Sequence, residues 1–303
     1  MIALLAAPTN LGLRPPAPGI EPGTWKAPQA LREAGLIERF LGRGALDMGT
    51  VLPGPYQPDV SPGTIRNQAA IIDYSRRLAF SIGSLRASGM APLVVGGDCS
   101  LMLGAGIALR KQGRYGLLHL DGHTDFRHPG NSRECANLAG EDLAAVVGSH
   151  WSPVSNIDGL SPYFLPTDTV HCGCRDDDEH LMEVRESLSL VVPASTLESA
   201  GIRAVAHQMA HVMDGPALAG YWLHLDVDIL DPTWMPAVDS PAPAGLSPGQ
   251  LTELLHLLAP KAVGADVTVY DPDRDADGRF AALLVDLLVA GLADLGSDLS
   301  ARG

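Results

Sequence analysis

Trp222-Leu223-His224-Leu225-Asp226-Val227-Asp228-Ile229-Leu230-Asp231-Pro232 decides the reading of the fold. It begins as a short apolar run suited to a buried strand and ends in carboxylates that a core strand would not choose. Two other runs end in the same manner. Leu93–Val95 leads into Gly96-Gly97-Asp98-Cys99-Ser100, and Gly116–Leu120 leads into Asp121-Gly122-His123-Thr124-Asp125. Ligands of open parallel sheets bind outside the carboxyl ends of the strands, so these three strand ends are the candidate site.

Further strands are expected at Ile2–Ala6, Thr169–Cys172, Leu190–Val192 and Val263–Val269, with helical patterns between them. One helix is expected from about Thr64 to Ser88, where Ile71, Leu78, Ile82 and Leu85 share a face and Gly89 supplies the stop. Another should begin at Ser100 and end at Gly113. Ser247, followed by Pro248 and by Gln250 three residues on, starts a capped helix that ends before Pro260, and a last helix should run from Arg279 to Leu295. The alternation predicts an α/β protein with a mostly parallel sheet covered by helices. Phe126–Pro166 and the proline-rich Leu230–Gly245 fit neither pattern, and long loops in such a protein usually serve function. With no repeat and no linker, residues 1–303 read as a single domain.

Composition narrows the partners. A formal charge of −14 over 303 residues excludes the basic footprint that nucleic acid and anionic membranes require. No apolar run reaches spanning length, because Asp286 and Asp294 break Leu283–Leu295. Met1–Asn10 lacks a basic start, so no signal peptide is expected. Cys99, Cys135, Cys172 and Cys174 form no Cys-x-x-Cys pair and no secreted framework, which suits a reduced, cytoplasmic protein.

Side chains two apart on an extended strand point the same way, which would align Asp226 with Asp228, and Asp121 with His123 and Asp125. A lone Asp-x-Asp is commonly a turn, and Asp-Pro likewise. Here the acids follow two predicted buried strands, with a Gly-Gly-Asp turn upstream. Gathered carboxylates are costly unless cations or protons neutralise them. Carboxylates with imidazole suit hard to borderline divalent ions, and bridging carboxylates suit a two-metal site.

These segments resemble the ureohydrolase signatures G-G-D-H-S, D-A-H-x-D and D-x-D-x-x-D-P of the arginase, agmatinase and formiminoglutamase family, in the same order. Gly23–Arg32 looks like the family's amino-terminal helix entry, and Pro236, Ser240-Pro241 and Gly245-Leu246 resemble its proline-rich loop. The resemblance implies a three-layer αβα fold, two divalent metals with manganese foremost, and a metal-bridging hydroxide that attacks a guanidinium or amidine carbon. It implies Asp121 and Asp226 as bridging ligands, Asp125 on the first metal and orienting the hydroxide, and His123 and Asp228 on the second. It also implies a homo-oligomer, a trimer or hexamer.

The sequence departs from the family in three places. Cys99 stands where a histidine ligand is usual, which shifts metal preference toward zinc or iron. Cys135-Ala136-Asn137-Leu138-Ala139-Gly140 resembles S-G-N-L-H-G, keeping Asn137 as a substrate-binding candidate but placing Ala139 at the family's histidine. His128 and His150 are the nearby substitutes, each expected as an exposed loop residue. Asp266–Pro272 resembles D-I-M-E-V-N-P with Val269 at the glutamate that holds the guanidinium; Asp239, with Ser240 beside it, is the candidate replacement. The expected function is C–N hydrolysis of a guanidino, hydroxyguanidino, amidino or formimino compound. The alternatives are a catalytically silent metal-binding member, or an amide deacetylase on a related scaffold.

Overall fold

The structure, a computed structural model, describes residues 1–302. Eight strands form one sheet: β1 (Ile2–Ala7), β2 (Leu46–Thr50), β3 (Ala91–Gly96), β4 (Gly116–Leu120), β5 (Thr169–Cys172), β6 (Leu190–Val192), β7 (Tyr221–Asp226) and β8 (Ala262–Thr268). Their order is β2-β1-β3-β8-β7-β4-β5-β6, and every pairing is parallel. The helices are α1 (Ala27–Glu33), α2 (Leu36–Leu41), α3 (Gln68–Ala87), α4 (Met102–Gln112), α5 (Asp142–Val146), α6 (Ser152–Ser155), α7 (Leu181–Ser187), α8 (Ala194–Ala200), α9 (Ile202–Met213), α10 (Pro248–Leu258) and α11 (Arg279–Gly291).

Two apolar cores flank the sheet, and strand alternation assigns residues to them. Leu4, Leu93, Val95, Leu118, Leu120, Leu223 and Leu225 pack with α1, α2 and α9–α11. Leu5, Val94, Leu117 and Trp222 pack on the other side with α3–α6. Gly104 allows α4 to lie close on α3; a β-carbon there would sit 2.9 Å from the Leu78 side chain. The predicted capping box forms at α10, where the Ser247 hydroxyl accepts from Gln250 N and Gln250 Oε1 accepts from Ser247 N.

The sequence patterns did not signal β2. It is an edge strand with all five residues exposed, so it carries no buried face to read. No helix among the described residues is long and apolar enough to cross a membrane.

Topology gathers the site. The chain leaves β3 for β4, three positions across the sheet, and β8 and β7 later fill the gap between them. The carboxyl ends of β3, β8, β7 and β4 therefore adjoin, forming the crevice where ligands of such sheets bind.

Candidate metal centre

After β3 the backbone turns tightly at Gly97, where a β-carbon would lie 2.2 Å from the Thr9 carbonyl oxygen. Asp98 serves this turn. Its Oδ1 accepts from Ser100 N at 2.9 Å and its Oδ2 from the Thr9 hydroxyl at 3.1 Å. The turn delivers Cys99, fully buried, to the neighbourhood of β7, where its Sγ donates to Asp226 Oδ2 at 3.0 Å.

Strand geometry stops sooner than the alternation argument assumed. β4 ends at Leu120, and Asp121–Asp125 form a loop in which Asp125 takes a left-handed φ of 46°. Val227–Ile229 is a turn of 3₁₀ helix, with Asp226 Oδ1 accepting from Asp228 N at 2.8 Å. The acids converge through turns rather than through a shared strand face. Cys99, Asp121 and Asp125 bring ligand atoms within 4.8 Å of one another, and so do Asp121, His123 and Asp228. Asp121 belongs to both groups, and Asp226 is joined to the first through Cys99. The six residues form one constellation.

Burial, reinforced by neighbouring carboxylates, pushes Asp121, Asp125 and Asp226 well above the usual carboxylate range. Burial would raise Asp228 too, yet His123, with Nδ1 2.8 Å from its Oδ2, holds it low; the same pair raises His123. Burial and then the Asp226 charge raise the Cys99 thiol, so without a cation it stays protonated and donates to Asp226. Asp121 Oδ2 is buried without any hydrogen-bond partner. Repelling carboxyls around an unpartnered oxygen make a donor set that fits divalent cations.

A cleft of about 950 Å³ opens over the constellation. Its walls include His123, Asp125, Asn137, Asp239, Ser240 and Val269. A second cleft of about 800 Å³, beside Trp25 and Tyr56, contains none of the six site residues. Asn137 Oδ1 accepts from Arg66 Nε at 3.1 Å. Asp239 opens to the cleft but has protein around it; that burial and the Asp228 charge push its carboxyl up to about 6. The Ser240 hydroxyl donates to Asp239 Oδ2 at 3.2 Å. Val269 holds φ at 73°, a conformation that β-branched residues rarely adopt, and its N–H donates to Gly97 O at 2.7 Å.

The loop carrying Asp239 is tied down by Arg175, whose buried guanidinium donates to the carbonyl oxygens of Gly173, Asp228, Leu230, Ala242 and Pro243. No sequence motif marked Arg175. The two nearby histidines do not replace the absent one. His128 pairs with Glu183 at 2.9 Å. His150 is buried rather than exposed, and its Nε2 lies 2.9 Å from Glu141 Oε2, the carboxyl that accepts from the backbone of Ala136 and Asn137. The histidines that line the cleft are His123 and His180. His119, His171 and His224 lie fully buried beneath it; their signal was a histidine at an inward position of an otherwise apolar strand.

A sequence profile described as the Arginase family matches residues 2–293. The chain belongs to the arginase family. Arginase of Bacillus caldovelox is 28% identical over 297 residues, covering 95% of this chain and 96% of the relative. The native structure of that arginase superposes with a TM-score of 0.86 at 26% identity, over 96% of this chain and 97% of the other. Proclavaminate amidino hydrolase from Streptomyces clavuligerus shares the fold, with a TM-score of 0.72 at 24% identity over 98% and 92% of the two chains. Arginase-family enzymes are hydrolases of C–N bonds, so the family resemblance read from the sequence holds, as does the αβα layering it implied.

Proposed function

We propose that this arginase-family chain is a two-metal hydrolase of a guanidino or amidino C–N bond, adapted to groups less basic than an alkylguanidinium. The observation that carries the proposal is Asp121, common to two donor groups at the floor of the cleft. In this reading Cys99 and Asp125 would hold the first ion, His123 and Asp228 would hold the second, and Asp121 and Asp226 would serve both. Manganese suits the carboxylates, and zinc or iron suits the thiolate. When bound, such a pair supplies hydroxide near neutral pH and polarises the substrate.

The remaining work falls to side chains. Asp125 reaches from the cluster to the cleft and orients the attacking water through its proton. Asp239 and Ser240 face the substrate nitrogens from the loop, with Asn137 on the cleft wall. Val269 offers an apolar wall in place of a carboxylate. A carboxylate–guanidinium contact is roughly twice as strong as a neutral hydrogen bond, so its absence penalises strongly basic groups most. The cleft is also lined by Glu134, Asp176, Asp177, Glu179 and Glu198 against Arg14 and Arg127, an acidic excess that disfavours anionic tails.

Steady-state kinetics on manganese-loaded protein test the reading. An N-hydroxyguanidine or substituted amidine should exceed arginine in kcat/KM by at least about tenfold, or about 1.4 kcal/mol of transition-state binding. Efficient, selective arginine hydrolysis would overturn the preference. Two bound metals with no turnover across a guanidine and amidine panel would favour a silent, metal-binding member.

A further inference from the structure

Directly beneath the constellation, on the α3–α6 face of the sheet, Asp266, His224, His119 and His171 lie side by side across β8, β7, β4 and β5. Each is the register partner of the next: Asp266 with His224, His224 with His119, and His119 with His171. All four are fully buried, at positions where the same strands otherwise supply Trp222, Leu117 and Val263 to the apolar core. Asp142 of α5, also fully buried, faces the row from above. A row of polar side chains replaces apolar ones, and something must compensate for their burial.

The imidazoles are oriented from behind. His224 Nδ1 is hydrogen-bonded to Asp266 Oδ1, and the other carboxylate oxygen accepts from the Trp222 indole N–H. His119 Nδ1 lies 2.9 Å from His171 Nδ1. With Nδ1 of each ring occupied, Nε2 of each points the other way. This is the arrangement in which a carboxylate or a similar partner fixes the tautomer of a metal-binding histidine.

What the Nε2 atoms meet is not a hydrogen bond. His224 Nε2, His119 Nε2, Asp142 Oδ2 and Asp121 Oδ2 are all buried without a partner. His224 Nε2 lies 3.8 Å from Asp142 Oδ2, and His119 Nε2 lies 3.9 Å from Asp142 Oδ1 and 3.6 Å from Asp121 Oδ2. Ligand atoms of Cys99, Asp142 and His224 fall within 4.8 Å of one another. Hydrogen bonds would close these gaps to about 2.9 Å. A tetrahedral ion with metal–nitrogen and metal–oxygen distances of about 2.0–2.1 Å holds its ligand atoms about 3.4 Å apart, and slightly farther from a thiolate sulfur. The imidazole–carboxylate separations reach the second pattern after a contraction of about half an ångström, with the Cys99 sulfur within 4.8 Å of the Asp142 and His224 ligand atoms.

We infer that Cys99, His119, His224 and Asp142 form a third cation site, for a borderline divalent ion of the zinc class, one layer below the proposed pair. The donor set is two neutral imidazoles, one carboxylate and one thiolate, so the loaded site carries no net charge. That neutrality accounts for a carboxyl such as Asp142 in the core. Binding replaces the Cys99 thiol proton, which leaves to solvent. Cys99 would then be shared between the lower site and the first upper one, a role a sulfur ligand can fill by bridging. The inference rests on the two-metal reading only in counting the upper ions.

The test is metal counting on the full-length chain. Metal-free protein is loaded with cobalt or zinc, freed of excess by gel filtration and measured by elemental analysis. Three equivalents per chain are expected, with the intense visible bands of four-coordinate cobalt and a thiolate charge-transfer band. Asp142→Asn and His224→Gln should each lose one equivalent and the intense bands while keeping two. Asp228→Asn should lose an upper ion and keep the bands. Unchanged metal content and unchanged intense bands in Asp142→Asn, or an unaltered chain that binds cobalt without those bands, would overturn the inference; the row would then be held by protons. Failure of the two-metal reading looks different: Asp228→Asn would lose nothing. Zinc X-ray absorption on the unaltered chain keeps the test independent of variant folding, since a spectrum without a mixed sulfur and nitrogen shell overturns the site.

Discussion

Stripping the metals with a chelator should change how stability depends on pH. In the metal-free fold, burial and then the neighbouring carboxylates hold Asp121, Asp125 and Asp226 above the usual range. A group whose folded pKa exceeds its unfolded value stabilises the fold fully below the unfolded pKa and loses that contribution as pH rises through the folded one. These carboxyls therefore favour folding below about pH 4 and weaken it progressively above. His123, raised by Asp228, acts in the same direction above about pH 6.5. Asp228 opposes them: held low by His123 despite its burial, it contributes above about pH 4. Asp142, pushed up to about 8 by burial, acts with the raised carboxyls, while burial holds His119 and His171 low and makes them oppose below about pH 6.5; the raised carboxyls prevail and leave the chelated protein less stable at pH 8 than at pH 5. Bound cations act oppositely, because they compete with those protons. An ion present at about 100 times its Kd adds about 2.7 kcal/mol, so the proposed pair adds about 5 kcal/mol. At roughly 2 °C per kcal/mol for a chain of this size, the gap in Tm is about 10 °C. Calorimetric melts of loaded and chelated protein at pH 5 and pH 8 should show the gap near that value at pH 8 and smaller at pH 5. An equal gap at both, or none, would show that these groups do not govern the metal-free fold.

Cys99→Ala should lower occupancy of one upper metal and leave the ion at His123 and Asp228 in place; full occupancy of every site by elemental analysis would show the thiol is only packed. Asp239→Asn should reduce kcat/KM for a cationic guanidine about tenfold at pH 8, the range of a charge-assisted contact. Because Asp239 ionises at about 6, the ratio of unaltered to variant protein should fall toward one at pH 5, and a ratio that does not change with pH would exclude the contact. Gly104→Ala forces a methyl against Leu78 and should cost about 1–3 kcal/mol in a urea melt, with catalytic constants unchanged; an unaltered midpoint would show that α3 yields freely.

The parts of the fold with a buried face were legible from sequence. β4, β5 and β6 begin and end where their apolar runs do, because both faces of those strands lie in the cores. The exposed edge strand Leu46–Thr50 was not, since nothing in it alternates toward a core. Cys99, Asp121, His123, Asp125, Asp226 and Asp228 were legible as candidates because acids at strand ends contradict the apolar pattern. The reason they meet was not legible: turns bring them together, through contacts such as Asp226 Oδ1 with Asp228 N. Asp142 gave no signal, because its partners on β4 and β7 come together only in the folded sheet. His150 looked like an exposed loop residue; it lies in a loop but is buried, where it anchors Glu141.

Arg175 grips the wall of the cleft through main-chain oxygens alone, from Gly173 on its own segment to Ala242 and Pro243 beside Asp239. A carbonyl oxygen is the same in every amino acid, so this grip is blind to side-chain identity. The side chain at 242 can be exchanged without loosening this grip, while in the proposed function Asp239 and Ser240 set what the cleft recognises. Scaffold and selectivity are thus encoded at separate positions. A library randomised at 239, 240 and 242 should yield altered substrate preference with little loss of folded protein, whereas the same library in an Arg175→Met background should not. Such a division would let the recognition of the cleft be retuned by single exchanges.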